Sequence, residues 1–161
     1  MPEFWLDTNS LIEPKNGPYA FDIAPGFWKF LEEKISEGII VSSVTVYSEL
    51  EDYGVEDDLL QWSKQQKDVG LFVDPDPMVQ AVFREIADYV NSTYPQYQAS
   101  EFLNAADPWI IAHAKTYGGR VVTFETTAPN AKKPKIPDVA DHFDVKCLNI
   151  YRMVRELGMS L

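Results

Sequence analysis

The feature that most restricts the fold is an alternation. Short apolar runs are "EFWL" (3–6), "IIVS" (39–42), "LFVD" (71–74), "RVVTF" (120–124) and "DVKCL" (144–148). Between them lie longer stretches whose apolar residues recur at helical spacing. Parallel strands need a crossover of a dozen or more residues, and a helix is the usual crossover. The pattern therefore predicts an α/β fold. It would be one domain over residues 1–161, with a central parallel sheet of four to five strands between helices in a three-layer α/β/α arrangement.

The helical stretches have readable ends. Phe27, Phe30, Leu31 and Ile35 mark a helix from Phe27 that stops at Gly38. Ser43 can cap a helix running through Val46, Leu50 and Tyr53. A further helix is expected over 55–67, and Pro75 and Pro77 open a long one reaching about Ser92. "AADPWIIAHAKTYGG" predicts a helix with Asp107 as N-cap, Pro108 in the first turn and Gly118-Gly119 at its end. A short helical turn is expected before the last strand, and "NIYRMVRELG" closes the chain as a helix. "NGPYAFDIAPG", "TYPQYQASEF" and "TTAPNAKKPKIP" are expected to be loops.

Composition narrows the function classes. A chain of 161 residues with 45% hydrophobic content can bury a sizeable core. No run approaches the roughly 20 apolar residues of a membrane span, and no basic segment precedes an apolar run at the start as in a signal peptide. The one cysteine, Cys147, sits among apolar residues, as a packed thiol would in a reducing compartment. A cytoplasmic protein without membrane association is expected. The formal net charge of −11 argues against broad phosphate binding through Lys and Arg. It leaves two options: acids gathered around metal ions, which reverse the local sign, or a partner that is not nucleic acid.

Four acids occupy places where acids are costly. In a parallel sheet the functional crevice lies outside the carboxyl ends of the strands. Asp7 ends the first strand and Glu125 ends the "RVVTF" strand. Glu49 falls on the apolar stripe of Val46, Leu50 and Tyr53; Asp107 shares the spacing of Ile110, Ile111 and Ala114. Each has an ordinary explanation. Asp7 could hold a turn, Asp107 could cap a helix, and Glu49 and Glu125 could be solvated. Converging in one crevice, however, the four would have to bind protons or cations. His113 and His142 are isolated, so no zinc spacing competes. All-oxygen ligation points to Mg²⁺ or Mn²⁺, and such ions suit phosphodiester cleavage.

These segments resemble the PIN-domain family, the nuclease fold of VapC-type toxins from toxin–antitoxin pairs. "FWLDTNSLI" resembles the opening strand that ends in Asp-Thr/Ser-Asn/Ser. "VSSVTVYSEL" resembles the strand and helix that carry a Glu. "AADPWIIAHAKTYGGRVVTFE" resembles the Ala-Asp helix and the strand closing in Thr-x-Asp/Glu. Their order agrees along nearly the whole chain. The resemblance implies a single PIN-like domain and a Mg²⁺- or Mn²⁺-dependent endoribonuclease. Asp7, Glu49, Asp107 and Glu125 fall on the four acidic, metal-binding positions. Thr8, Asn9 and Thr123 fall on the supporting polar ones. The resemblance also implies an RNA substrate, an antitoxin partner and a homodimer. Two features depart from the pattern. The fourth acid is Glu125 where Asp is commoner, and the middle of the chain is longer than in a compact toxin. Both fit a divergent PIN-like branch.

Lys132, Lys133 and Lys135 form a basic island shortly after Glu125 and are expected to rim the same crevice, as phosphate contacts or as an ordinary solvated loop. The alternative to an active ribonuclease is a weak or inactive PIN-like module that binds RNA or a protein partner. A phosphatase of the haloacid-dehalogenase kind would want a second Asp two residues after Asp7, where this chain has Asn9.

Overall fold

The protein was analysed as a computed structural model that describes residues 2–53 and 57–160. Five parallel strands form its sheet: β1 (Phe4–Leu6), β2 (Ile40–Ser43), β3 (Phe72–Val73), β4 (Arg120–Val122) and β5 (Cys147–Leu148), in the order β3-β2-β1-β4-β5. β1 is central. Phe4 and Trp5 pair with Ile40 and Val41 on one side; Phe4, Trp5 and Leu6 pair with Arg120, Val121 and Val122 on the other. All three β1 residues are buried, as expected of a strand covered on both faces.

Chain order decides where the helices go. The sheet first grows from β1 to β2 to β3. These crossovers contain α1 (Asn9–Asn16), α2 (Pro25–Ser36), α3 (Val44–Asp52) and α4 (Asp58–Val69). The chain then returns across the sheet to β4 and β5 through α5 (Pro77–Thr93), α6 (Gln96–Asn104), α7 (Asp107–Tyr117) and α8 (Ile136–His142); α9 (Ile150–Glu156) follows. Right-handed crossovers in opposite directions put their helices on opposite faces. The packing divides in the same way: α4 meets α1, α2 and α3, whereas α7 meets α5, α6 and α8. The result is a three-layer α/β/α fold.

Several local expectations are corrected. The stretch 93–102, expected to be a loop, is one only at Tyr94 and Pro95. Tyr94 and Pro95 lead into α6, which buries Ala99 and Phe102 and packs against α5 and α7. That stripe of two residues is too short to stand out in sequence, and tertiary burial supplies the stability. Asn9–Asn16 is a helix that the polar start and Pro14 conceal; Ser10, Leu11 and Pro14 form its buried face. α3 ends at Asp52, so Tyr53 is its C-cap and is 66% exposed instead of completing the apolar stripe. The expected helix start at Val55 lies outside the described residues; among those described, α4 begins at Asp58, capped by Asp57. β4 stops at Val122, two residues early. The Thr123 hydroxyl accepts the Glu125 amide at 3.1 Å and turns the chain out of the sheet.

Cys147 is half-buried and free, and burial pushes its thiol up to about 12, so it is an inert packed group. No helix among the described residues is long and apolar enough to cross a membrane.

Candidate functional site

The sheet's strand order reverses between β1 and β4, and the loops leaving these two strands diverge to opposite faces. Such a switch point opens a crevice at the carboxyl edge. Here the crevice is a cavity of about 470 Å³. Asp7, Thr8 and Asn9 enter it from the β1 end, Glu49 from α3, Asp107 from the start of α7, and Glu125 and Lys133 from beyond β4. The four expected carboxylates, from four separate elements, therefore line one space, and Asp52 of α3 is a fifth.

Their surroundings differ in ways that matter chemically. Asp7 is 3% exposed. Its Oδ1 accepts the Ser10 amide at 2.9 Å and lies 2.6 Å from the Ser10 hydroxyl, which also sits 2.9 Å from the Val122 carbonyl. One hydroxyl proton serves those two acceptors. Burial pushes Asp7 up to about 6, against the lowering effect of the Ser10 and Thr123 hydroxyls. Asp7 thus makes the local turn bonds that its position allows, on one oxygen.

Glu49 is half-buried and acts as a clamp. One oxygen accepts the Thr8 hydroxyl and the other accepts the Ala106 amide at 2.9 Å. It joins the β1 exit to the first turn of α7, where unpaired amides favour a negative group. Glu125 holds the far end of its own loop, with Oε1 accepting the Ile136 amide at 2.9 Å where α8 begins.

Asp107 is different. It is the first residue of α7 and makes no capping bond, which corrects the expectation that it is the N-cap. The cap position belongs to Ala106, whose amide is already taken by Glu49. Half-buried and with no hydrogen-bond donor among the described residues, the Asp107 carboxyl is pushed up to about 8, by burial first and then by the charges of Glu125, Asp7 and Glu49; Lys133 opposes the rise.

Of the basic island, only Lys133 reaches this cavity. Lys132 lines a separate one with Tyr89, Tyr94 and His142, and Lys135 is the N-cap residue of α8. The chain bends at Lys132 and Lys133. The loop is drawn in by Ala128, whose amide donates to Asp138 at 2.8 Å, and by the Glu125–Ile136 bond. Thr123 is buried beside Asp7, and Asn9 is exposed at the cavity wall.

Sequence reasoning gave Ser10 and Asp52 no place in the site and took Tyr53 only as part of an apolar stripe. Ser10 stands three residues after Asp7, the spacing at which a carboxylate bonds a helix's first amides. Asp52 stands three after Glu49, on the same face of α3, and lines the same cavity. Either spacing could have been read from the chain.

The donor set is chemically suited to a hard divalent cation. It is all oxygen, carries an excess of negative charge, and includes the Asp107 carboxylate, which has no donor among the described residues. The side chains do not stand as a closed cage: among the described residues no three His, Cys, Asp or Glu groups converge closely enough to hold one ion. The acids already spend oxygens on the protein, two of them for Glu49 and one each for Asp7 and Glu125.

No curated protein and no solved structure matches the chain. A family model described as a domain of unknown function, DUF4411, matches residues 4–161. The chain belongs to the DUF4411 family.

Proposed function

We propose that this protein is a metal-dependent endoribonuclease of the PIN-like kind, and the toxin of a toxin–antitoxin pair. The observation that carries the proposal is Asp107. It is a half-buried acid with no donor among the described residues, sharing a cavity at the sheet's switch point with Asp7, Glu49, Asp52 and Glu125. An arrangement so costly in folding free energy persists for a purpose, and neutralisation by a cation is the simplest one.

Asp7 and Asp107 would be the main ligands of Mg²⁺ or Mn²⁺. Glu49 would complete the set or act through water, and Glu125 would orient the attacking water or serve a second ion. The bound ion supplies Lewis-acid charge at a phosphoryl oxygen and makes a water acidic enough to attack. The chain's own residues do the rest. Ser10 and Thr123 hold the Asp7 carboxylate in place. Thr8 fixes Glu49, and Glu49 in turn sets the position of the α7 start that carries Asp107. Lys133 is the cation best sited for a phosphate oxygen at the cavity wall.

The test is cleavage of single-stranded RNA with Mg²⁺ or Mn²⁺ by wild type, Asp7→Asn and Asp107→Asn. Loss of cleavage in both variants is expected; equal activity in all three sinks the proposal. The toxin role has its own test, stable co-purification with the product of a neighbouring small gene.

A second reading has an observation in its favour: both Glu49 oxygens, and one each on Asp7 and Glu125, already serve the fold. On this reading the protein is a non-cleaving module that binds RNA or a protein partner, with the acids as a residual cation site. Intact Mn²⁺ binding with no cleavage of any RNA or single-stranded DNA would favour it.

A further inference from the structure

Beside the carboxylate cavity lies a second, smaller one of about 230 Å³ between α1, α3 and α4. The two share a wall: Ile12 and Tyr53 line both. Leu50 and Leu60 make the rest of its interior apolar, and Asn16 and Lys15 stand on its α1 side. We infer that this cavity receives one unpaired nucleobase of a single-stranded RNA whose phosphate lies at the carboxylates.

Four observations favour a base. The first is size. The cavity falls below the ~300–1,000 Å³ typical of drug-sized ligands, which leaves room for one planar ring system. The second is Tyr53. Its backbone is fixed by the last turn of α3, where its amide donates to the Glu49 carbonyl at 3.1 Å. Its ring is 66% exposed and stacks on no other ring among the described residues. An open aromatic side chain on the wall shared with the carboxylate cavity is what unpaired bases stack on.

Asn16 is the third observation. Its amide is exposed and makes no side-chain hydrogen bond among the described residues, so its donor and acceptor are free to read a base edge. Charge is the fourth. Lys15, the only cation on the wall, is paired with Asp57 at 2.8 Å and lies 3.7 Å from Asp58. A neutralised lysine offers little to a phosphate or to an acidic peptide, and nothing that repels an uncharged ring. The inference rests on the proposed function for where the phosphate lies, but the base pocket can be tested without metal or cleavage.

The experiment is an NMR titration of ¹⁵N-labelled protein in chelator with adenosine, cytidine, guanosine and uridine, which carry no phosphate. Saturable shifts at Ile12, Leu50, Tyr53 and Leu60 are expected, larger for one or two nucleosides than for the others. Tyr53→Ala and Asn16→Ala alter exposed side chains, so the fold should survive, and the stacking lost at Tyr53 should weaken binding about tenfold. Shifts confined to the separate cavity with Tyr94 and His142, unchanged binding in both variants, or no saturable shifts would each overturn the inference. The last result would leave the cavity to an apolar side chain of a protein partner. The two proposals fail separately. Cleavage with a base preference unchanged by Tyr53→Ala removes the base pocket and keeps the nuclease. Nucleoside shifts at these residues without cleavage keep the pocket and remove the nuclease.

Discussion

Replacing Asp107 with Asn should make the metal-free protein more stable, and the gain should depend on pH. The carboxyl has a folded pKa of about 8 against 3.8 for the unreacted group, through burial and the charges of Glu125, Asp7 and Glu49. Because the folded value is the higher one, the native state holds the proton more tightly than the unfolded chain. Stability is therefore greatest below about pH 4 for this group and declines as pH rises toward 8. At about 1.4 kcal/mol per tenfold change in proton affinity, the full penalty at pH 8 has a ceiling of ~5 kcal/mol. Two effects reduce it. A neighbouring carboxyl can take up the proton instead, and a negative group in the first turn of α7 is favoured by ~0.5–1 kcal/mol through the helix dipole. A net gain of ~2 kcal/mol for Asn is expected, or roughly 4–8 °C in Tm for a chain of this size. The assay is thermal unfolding by circular dichroism in chelator at pH 5, 6.5 and 8. The gain should be largest at pH 8 and small at pH 5. Adding Mn²⁺ at about 100 times its Kd should then stabilise the wild type by ~2.7 kcal/mol and the variant by much less. An Asn variant that is less stable than wild type at pH 8 in chelator would refute the reasoning. It would mean that the Asp107 carboxylate is already satisfied.

Other outcomes follow from the same structure. His113 is fully buried, stacks on Trp5 at 4.8 Å and has no hydrogen-bond partner on either ring nitrogen among the described residues; burial lowers its pKa to about 4. Its folded value lies below the unfolded 6.5, so stability is lost as pH falls from about 6.5 toward 4, by up to ~3 kcal/mol. Its slope opposes those of Asp107 and Asp7, whose raised values make stability fall as pH rises above about 4, so His113→Phe should steepen the fall of metal-free Tm with rising pH between about 4 and 6.5. Lys133→Ala should lower RNA cleavage while Lys132→Ala leaves it near wild type, because only Lys133 lines the carboxylate cavity; comparing kcat/KM for the two tests this. Gly119→Ala should destabilise by more than ~1 kcal/mol in urea unfolding. Gly119 has φ +102°, and an added Cβ would lie 2.9 Å from the Glu3 carbonyl oxygen at the edge of β1.

Asp7 was legible because strand ends and sheet edges follow from local pattern: three apolar residues, then a carboxylate. Asp107 was legible as a helix-start acid, but its role was not. The spacing "AADP" fits a capping residue equally well, and only the structure shows the Ala106 amide taken by a glutamate 57 residues earlier in the chain. Glu125 was placed at a strand end. The strand in fact stops at Val122, and Glu125 fastens a loop by reaching Ile136. The lysine island read as one unit. A bend at Lys132 and Lys133 divides it, in a loop fastened at its ends by the Ala128 amide on Asp138 and the Ile136 amide on Glu125.

Residue pattern along the chain is enough to give the alternation of strands and helices, and with it a parallel sheet whose carboxyl edge carries acids. These features depend on residue periodicity over a few neighbours, which needs no knowledge of distant contacts. It did not reveal α1 or α6, whose short buried faces become favourable only against other helices. Tertiary structure alone decided that the order β3-β2-β1-β4-β5 reverses beside Asp7, and that Glu49 and Asp107 reach the same cavity. It also decided that, of the four expected acids, the Asp107 carboxylate is the one without a donor among the described residues. Strand order and long-range hydrogen bonds join residues dozens of positions apart, and no local pattern encodes which of four similar acids will lack a partner.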